Sequence, residues 1–179
     1  MKALLTEQQL GQGVQRLADE IAVVYDGRPL TIIGILTGSV VLLADLIRRL
    51  DMPLRVGVIQ TSSYRGSATR PGPLEVNSDF LPEVRGRDVL LVDDIFDSGK
   101  TLAEVIDEID ELGPKSIRSA VLLRKDVPRK VRLQPDHVAF DIPDQFVVGY
   151  GLDYNDAYRN LPYVAVLEEE DLRRQPPVS

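Results

Sequence analysis

The chain has 179 residues, 44% hydrophobic and 27% charged, which is the balance of an ordinary soluble globular protein of one domain. It has no cysteine, which excludes structural disulfides and zinc–thiolate sites, and its one histidine, His137, excludes multi-histidine metal sites. The net charge of −7 disfavours a nucleic-acid binder, because phosphate neutralisation needs a basic surplus. No stretch has the form of a signal peptide or approaches the roughly 18 apolar residues of a membrane helix, so we expect a cytoplasmic protein without membrane contact.

The first part of the chain alternates between helix and strand patterns. A capping box at Thr6 and Gln9, followed by apolar residues at helical spacing, predicts a helix that ends before Gly27 and Pro29. The elements predicted next are a buried strand at 30–36, a turn at 37–39, a helix at 40–50 and a strand at 54–60.

Residues 61–78 interrupt this alternation. They are rich in Ser, Thr, Gly, Pro and Arg and have no repeating apolar face. We therefore predict one long loop, and loops of this length in a compact domain are usually functional or disordered.

The alternation resumes with a buried strand at 89–92, a helix at 101–112 that Gly113-Pro114 ends, and a strand at 117–123. Strands that alternate with helices predict a mostly parallel sheet with right-handed crossovers. Short strands are expected at 137–140, 146–149 and 163–167, and the charged, proline-rich tail at 168–179 is expected to fray.

The segment 93–101, Asp-Asp-Ile-Phe-Asp-Ser-Gly-Lys-Thr, combines three carboxylates with a small-residue turn. It lies between a predicted strand and a predicted helix, and ligands of open α/β sheets bind outside the carboxyl ends of strands. The free backbone N–H groups and the positive dipole end of a helix N-terminus favour a phosphate at this turn. The carboxylates of Asp93 and Asp94, just upstream, suit magnesium or ribose hydroxyls.

Other interpretations of this segment fit less well. A P-loop requires glycine where Asp94 stands. A calcium loop of EF-hand type requires acids at alternating positions and a glutamate at its twelfth position, and this spacing is missing. An ordinary helix cap favours one acid, but three acids followed by Ser-Gly-Lys-Thr exceed what a cap requires.

This segment resembles the phosphoribosyl-pyrophosphate-binding signature of type I phosphoribosyltransferases. The sequence is similar over roughly 30–167 to the hypoxanthine-guanine phosphoribosyltransferases. The matching stretches are Leu-Arg-Lys at 123–125, Pro-Arg at 128–129, Pro-Asp at 135–136 and Ile-Pro-Asp-Gln-Phe-Val-Val-Gly-Tyr-Gly-Leu-Asp-Tyr-Asn at 142–155. Ser62-Ser63-Tyr64 resembles the start of that family's mobile active-site loop.

The resemblance implies a set of roles on the phosphoribosyl side. Asp97 would be the general base that takes the proton from purine N7, and Asp93 and Asp94 would approach the ribose hydroxyls and the metal. The residues implied to cradle the 5′-phosphate are Asp97, Ser98, Gly99, Lys100 and Thr101. The residues implied to form the pyrophosphate loop are Thr37, Gly38 and Ser39.

The resemblance also implies a purine side. Lys125 would hydrogen-bond the 6-oxo group, Phe146 would stack on the ring, and the Val147 backbone would face its Watson–Crick edge. Asp153 would help to hold a second magnesium ion, and Arg159 would contact pyrophosphate. Ser63 and Tyr64 would close over the reacting centre.

Each of these residues also has a purely structural interpretation. Lys125 suits a solvated basic residue, Phe146 a core residue, Asp153 a turn residue and Arg159 a surface arginine. The resemblance, and not their spacing, favours the functional interpretation. His137 receives no function from either argument and is expected to be a bystander on a short strand.

Two positions depart from the pattern of many relatives. Asp93 stands where they carry glutamate, and its side chain is about one methylene shorter, which favours a water-mediated ribose contact. Thr37 stands where they carry lysine, which removes a positive charge near the pyrophosphate.

The resemblance implies a type I phosphoribosyltransferase α/β fold, with a mostly parallel sheet flanked by helices at about 29–145 and a small hood from about 1–28 and 146–172. It implies transfer of the 5-phosphoribosyl group from phosphoribosyl pyrophosphate to hypoxanthine or guanine, with Mg²⁺ as cofactor. This reaction releases pyrophosphate and serves purine salvage. Relatives commonly form dimers or tetramers, so a homo-oligomer is expected.

Three alternatives remain at this point. A xanthine-preferring relative would share the same motifs. A regulator that keeps the fold but binds RNA would require a basic face, and the net charge of −7 argues against it. A catalytically inactive paralogue is disfavoured because Asp97 and Lys125 are both present.

Overall fold

The computed structural model describes residues 1–63, 74–77, 79–128, 131–168 and 170–171. The helices and strands in chain order are β1 (Lys2–Leu5), α1 (Glu7–Tyr25), β2 (Leu30–Leu36), α2 (Val40–Ile47), β3 (Leu54–Ser63), β4 (Leu74–Asn77), β5 (Asp88–Phe96), α3 (Lys100–Glu111), β6 (Ser116–Lys125), β7 (His137–Ile142), β8 (Val147–Val148) and β9 (Val164–Val166). Within these residues, no helix is both long and apolar enough to cross a membrane.

The main sheet has six strands in the order β4-β3-β2-β5-β6-β7. All neighbouring pairs from β3 to β7 are parallel, and only the edge strand β4 runs antiparallel. In the centre of the sheet, Val92 lies beside Gly34 on β2 and Ala120 on β6. The predicted parallel sheet with helical crossovers is confirmed.

Helices cover both faces of this sheet, because side chains alternate between the two faces of a strand. On one face, α1 and α2 pack against a core that includes Leu10, Leu17, Leu46, Ile32, Leu90, Val92 and Leu122. On the other face, α3 packs in a second core that includes Leu102, Val105, Ile109, Ile33, Leu91 and Val121. Burial of both faces explains why the central strands are almost continuously apolar.

Helix α1 begins as the capping box predicts. The backbone N–H of Gln9 donates to the Thr6 hydroxyl at 3.2 Å, and the Gln9 side chain accepts from the Thr6 backbone N–H at 2.9 Å. The helix ends at Asp26, which caps it with a left-handed φ of 48°. The predicted second helix is three residues too long, because α2 ends at Ile47 rather than at position 50.

The prediction of one loop over 61–78 is wrong at both ends. Residues 61–63 continue β3, and Leu74–Asn77 form β4, where Thr61 pairs with Val76. These strand residues pair with each other at the edge of the sheet. Their sequences have no alternating apolar pattern, so the strands could not be predicted from it. Residues 64–73 of the predicted loop lie outside the described residues.

A second, three-stranded antiparallel sheet has the order β1-β9-β8. Strand β1 was not predicted from the sequence; it forms because Lys2 pairs with Val166, which is distant in the chain. Helix α1 lies on the main sheet, where Arg16 donates a hydrogen bond to the Ala139 carbonyl of β7. This small sheet places β8 beside the carboxyl end of β6.

Candidate active site

The carboxyl ends of three parallel strands bring the site residues together. Thr37-Gly38-Ser39 follows β2, Asp97-Ser98-Gly99 follows β5, and Lys125 ends β6. Parallel strands of one sheet end at the same edge, so segments far apart in sequence become neighbours. The β8 segment adds Phe146 and Val147 next to Lys125.

Two adjoining cavities open at this edge. The first, the Gly99 cavity, has a volume of about 160 Å³ and is lined by Asp93, Ile95, Phe96, Asp97, Ser98, Gly99, Lys100, Thr101 and Leu102. The second, the Lys125 cavity, has a volume of about 230 Å³ and is lined by Asp94, Ile95, Asp97, Lys125, Phe146, Val147, Leu152 and Asp153. Asp97 lines both cavities, so it lies where ligands bound in the two cavities would meet.

Asp93 and Asp94 line different cavities, although both were expected to approach the ribose hydroxyls and the metal. They are successive residues at the end of β5, and successive side chains point to opposite faces of a sheet. Asp93 therefore faces the Gly99 cavity, whereas Asp94 faces the Lys125 cavity. The backbone N–H of Asp94 donates to the Asp93 carboxylate at 3.0 Å, which ties the two residues together.

Burial gives this acidic pair an unusual electrostatic state. It raises the pKa of the Asp93 carboxyl well above its ordinary value, and the charge of Asp94 raises it further. Burial also raises the pKa of Asp94, against hydrogen bonds from Asp93 and the Ile95 N–H and the positive charge of Arg159. Two adjacent buried carboxyls are most stable with a shared proton or beside a cation.

The turn before α3 has the features of an anion site. Gly99 is the N-cap residue with a left-handed φ of 78°, and no side chain caps the helix. The Lys100 backbone N–H makes only a long 3.4 Å contact to the Ser98 hydroxyl. The first N–H groups of α3 therefore point into the Gly99 cavity at the positive end of the helix dipole.

Lys125 lies between two carboxylates in the free protein. Its side chain is only 12% exposed, and its Nζ is 3.6 Å from Asp97 Oδ2 and 3.4 Å from Asp144 Oδ1. Phe146, by contrast, is 50% exposed. Its ring packs edge to face with the ring of Tyr154, with 5.6 Å between the ring centroids. An exposed aromatic face beside a nearly buried ammonium suits a flat, polar ligand.

The 37–39 turn is held tightly against Asp94. A Cβ atom at Gly38 would overlap the Asp94 Oδ2, so only glycine permits this approach. The buried Ser39 hydroxyl donates to the Ile35 carbonyl at 2.6 Å, which makes its side chain a structural element of the turn. Thr37 is exposed beside them, after a cis peptide bond to Leu36.

Arg159 and Asp153 form an ion pair at the rim of the Lys125 cavity. The distance from Arg159 Nη2 to Asp153 Oδ1 is 2.9 Å, and Arg159 Nη1 donates to the Gly151 carbonyl at 2.8 Å. The Asp156 backbone N–H donates to the other Asp153 oxygen at 2.9 Å. Both side chains are therefore held in place by contacts within the protein.

Of the other residues considered in the sequence, those that the structure describes do not line either cavity. Ser63 is the last residue of β3, and Tyr64 lies outside the described residues. His137 is buried at the amino end of β7, with Nδ1 3.5 Å from Glu20 Oε2, away from the site edge. Ile95 and Leu152 line the Lys125 cavity but were missed, because isolated apolar residues carry no signal of ligand contact.

A third cavity of about 500 Å³ lies away from this edge, between the segment before β5 and the end of α3. It is larger than the other two, but its lining residues, 81–85 and 111–112, include none of the predicted site residues. The chemistry of the lining residues therefore assigns the site to the Gly99 and Lys125 cavities.

Comparisons with known proteins agree with this geometry. The hypoxanthine-guanine phosphoribosyltransferase of Bacillus subtilis is 40% identical over 168 residues, which are 93% of each chain. That of Streptococcus pneumoniae strain R6 is 37% identical over 94% of each chain. The Bifunctional protein TilS/HprT of Listeria innocua is 38% identical over 169 residues, and the chain spans 26% of its length.

Solved structures show the same likeness. A hypoxanthine-guanine phosphoribosyltransferase from Bacillus anthracis superposes with a TM-score of 0.88 at 37% identity, over 94% of this chain and 99% of that one. The model of the phosphoribosyl transferase domain matches residues 1–155. The chain is thus a member of the phosphoribosyl transferase domain family.

Proposed function

We propose that the protein is a purine salvage enzyme that transfers the 5-phosphoribosyl group from phosphoribosyl pyrophosphate to hypoxanthine and guanine. The products are the nucleoside monophosphates IMP and GMP and pyrophosphate. The observation that carries this proposal is the position of Asp97. Asp97 lines both the cavity at the start of α3 and the cavity that Lys125 and Phe146 also line.

The Lys125 cavity binds the base in this proposal. Lys125 carries only hydrogen-bond donors, so it pairs with a 6-oxo acceptor and opposes a 6-amino group. Phe146 offers an exposed ring for stacking on a purine, and the buried Val147 backbone lies at the same wall. Asp97 accepts the proton from N7 as N9 of the base bonds to the anomeric carbon of the ribose.

The Gly99 cavity binds the 5′-phosphate in this proposal. The uncapped N–H groups of α3 and the Ser98 and Thr101 hydroxyls donate to the phosphate oxygens, and Lys100 adds positive charge. Asp93 lines this cavity and Asp94 lines the adjoining one, and both accept from the ribose hydroxyls. The ribose thereby spans from the phosphate turn to the base, with its anomeric carbon near Asp97.

The Thr37-Gly38-Ser39 turn binds the leaving pyrophosphate. Breaking the bond from the anomeric carbon to oxygen leaves positive charge on the ribose and negative charge on pyrophosphate. Arg159 lies at the rim of the Lys125 cavity and stabilises that negative charge, as preorganised cations do in other enzymes. Ser63 and Tyr64 close over the reacting atoms and protect the ribose cation from water.

The donor set at this edge fits magnesium. No group of three or more acidic or histidine side chains converges on one point among the described residues. Mg²⁺ is usually bound through one or two carboxylates together with substrate phosphates, so a cation that arrives with phosphoribosyl pyrophosphate needs no larger cluster. Asp93 and Asp94 would approach one such ion, and Asp153 would help to hold a second; both ions would neutralise charge on the pyrophosphate.

The wider assignments follow from the same proposal. The substrates are phosphoribosyl pyrophosphate and a 6-oxopurine base, with no nucleic-acid partner, and the enzyme works in the cytoplasm as a homo-oligomer. The three-stranded β1-β9-β8 sheet contributes to a hood over the α/β core, because β8 carries a wall of the Lys125 cavity.

The direct test is nucleotide formation from phosphoribosyl pyrophosphate with hypoxanthine, guanine, xanthine and adenine in separate reactions. We expect turnover with hypoxanthine and guanine and none comparable with adenine. A preference for xanthine would replace the assigned bases, and equal rates with adenine would contradict the proposal.

A further inference from the structure

Residues 149–151 form a strained segment across the active site. Gly149, Tyr150 and Gly151 have consecutive left-handed φ angles of 95°, 52° and 99°. A tyrosine in this region costs energy, because its Cβ approaches the following carbonyl oxygen. Such a residue persists only where the surrounding contacts hold it, and such residues cluster at functional sites.

The backbone of this segment holds Arg159. The Gly151 N–H donates to the Arg159 carbonyl at 3.0 Å, and the Arg159 guanidinium donates to the Gly151 carbonyl at 2.8 Å. The Tyr150 N–H donates to the Leu161 carbonyl at 2.8 Å. These hydrogen bonds therefore fix the position of Arg159 relative to the 149–151 segment.

The same segment contacts the 37–39 turn. A Cβ atom at Gly151 would overlap the Gly38 carbonyl oxygen, so the two backbones touch. Gly38 in turn lies against the Asp94 carboxylate. The contact sets the separation between Arg159 and the turn proposed to bind pyrophosphate.

One side-chain contact fixes this arrangement to α2. The Tyr150 hydroxyl donates to Asp45 Oδ2 at 2.5 Å, and the tyrosine is only 7% exposed. Asp45 lies on the helix that begins directly after Ser39, and it also pairs with Arg48. Burial and the hydrogen bond to Asp45 both raise the pKa of Tyr150, so its hydroxyl remains a donor at neutral pH.

We infer that Tyr150 is a positioning residue, whose hydrogen bond to Asp45 sets the distance between the 37–39 turn and Arg159 and so aligns the two sides of the pyrophosphate site. Tyr150 touches no substrate in this arrangement and acts through Gly151 and α2. The inference rests on the proposed function for its kinetic consequences, but the alignment itself is a property of the free protein.

The test uses three variants and one control. Tyr150→Phe and Asp45→Ala remove the hydrogen bond, whereas Asp45→Asn keeps an acceptor oxygen and removes only the charge. Tyr163→Phe removes the hydroxyl of a half-buried tyrosine from the same part of the chain, where no described residue hydrogen-bonds to it. The two readouts are steady-state kinetics and amide hydrogen exchange of residues 37–41 in the free protein.

We expect Tyr150→Phe and Asp45→Ala to lower kcat/KM by about 10- to 100-fold, since misplacements of about 1 Å can have such effects. The KM for phosphoribosyl pyrophosphate should rise more than the KM for hypoxanthine. Exchange at 37–41 should accelerate in both variants, whereas Asp45→Asn and Tyr163→Phe should resemble the wild type.

Two results would overturn the inference. Unchanged exchange at 37–41 in Tyr150→Phe would show that the hydrogen bond does not hold the turn. An Asp45→Asn variant as impaired as Asp45→Ala would assign the effect to the ion pair with Arg48. If the wild type makes no nucleotide, the proposed function fails, and the exchange measurement still decides the role of Tyr150.

Discussion

The Asp97 carboxylate and the Lys125 ammonium lie 3.6 Å apart. In the proposed reaction, Asp97 accepts a proton while Lys125 donates to the 6-oxo group. Asp144 lies 3.4 Å from the same ammonium and is a second ion-pair partner of Lys125.

Replacing Asp97 with asparagine should lower kcat by about 10²- to 10⁴-fold, the usual share of a positioned general base. The amide keeps the size of the side chain but cannot take the N7 proton. Binding of phosphoribosyl pyrophosphate, measured by calorimetry, should persist. Asp110→Asn, an exposed change on α3, is the matched control. Turnover near the wild-type rate in Asp97→Asn would show that another group is the base.

Replacing Lys125 with methionine should remove most activity with hypoxanthine and guanine and narrow the gap to adenine. In the wild type, adenine would place its 6-amino donors against the ammonium, and sites of this kind reject such analogues by roughly 10⁴- to 10⁵-fold in favourable cases. Phe146 stacks on any purine, so it does not discriminate. Initial rates with the three bases measure the effect. The control is Lys115→Met, because Lys115 directly precedes β6 and so lies at the other end of that strand from Lys125.

At the scale of elements, β5 connects the stability of the fold to the site. Its carboxyl end leads to Asp97, and its amino end begins with the buried Asp88. The Asp88 carboxylate accepts from the Ser116 hydroxyl at 2.6 Å and lies 3.2 Å from Arg28 and 3.6 Å from Lys115. Asp88 thus joins β5 to the start of β6 and to the end of α1.

Replacing Asp88 with asparagine should destabilise the protein in a pH-dependent way. The Ser116 hydrogen bond, together with Lys115 and Arg28, lowers the pKa of Asp88. A lowered pKa means that the stabilisation is present above the unfolded-state value near 4 and is lost as pH falls through the folded-state value. At pH 7 we expect a loss of about 1–2 kcal/mol, or about 2–8 °C in Tm.

Thermal unfolding at pH 7 and at about pH 3 measures this difference, since the lower pH lies below the ordinary aspartate value. The gap between wild type and Asp88→Asn should shrink at the acid end. A gap of equal size at both pH values would mean that the charge of Asp88 does not stabilise the fold. Asp110→Asn again provides an exposed carboxylate for comparison.

At the scale of the whole molecule, the candidate site lies where the main sheet meets the β8 segment, beside the start of α3. The main sheet supplies the phosphate turn and Lys125, and the β8 segment closes the cavity from the other side. The acidic groups at this junction come from two parts of the chain: Asp93 and Asp94 from β5, and Asp153 from the segment after β8. Cations held by these carboxylates would therefore depend on the assembled fold and on the phosphorylated substrate.

Activity should require Mg²⁺ and vanish with excess chelator, because carboxylate oxygens and phosphates are the ligands of a hard cation. Added Mg²⁺ should restore it fully. In calorimetry, Mg²⁺ alone should bind weakly, and Mg²⁺ with phosphoribosyl pyrophosphate should bind tightly. Full turnover in excess chelator would contradict the metal assignment.

Local patterns in the sequence predict the alternation of helices and strands and a candidate site. Strand β2 and the capping box of α1 follow from local patterns, because a fully buried strand is a continuous apolar run and a helix cap is a contact three residues long. The segment from Asp93 to Thr101 indicated a phosphate site for the same reason, since strand, turn and helix start are adjacent in the chain.

Contacts between segments that are distant in the chain follow from packing, and local patterns do not predict them. Strand β1 forms because Lys2 finds Val166, and no local pattern records that pairing. The division of Asp93 and Asp94 between two cavities follows from how far β5 extends, and the contact of Gly151 with Gly38 follows from the placement of the C-terminal segment. Local signals depend on neighbours in the chain, whereas these features depend on packing between residues that become neighbours only after folding.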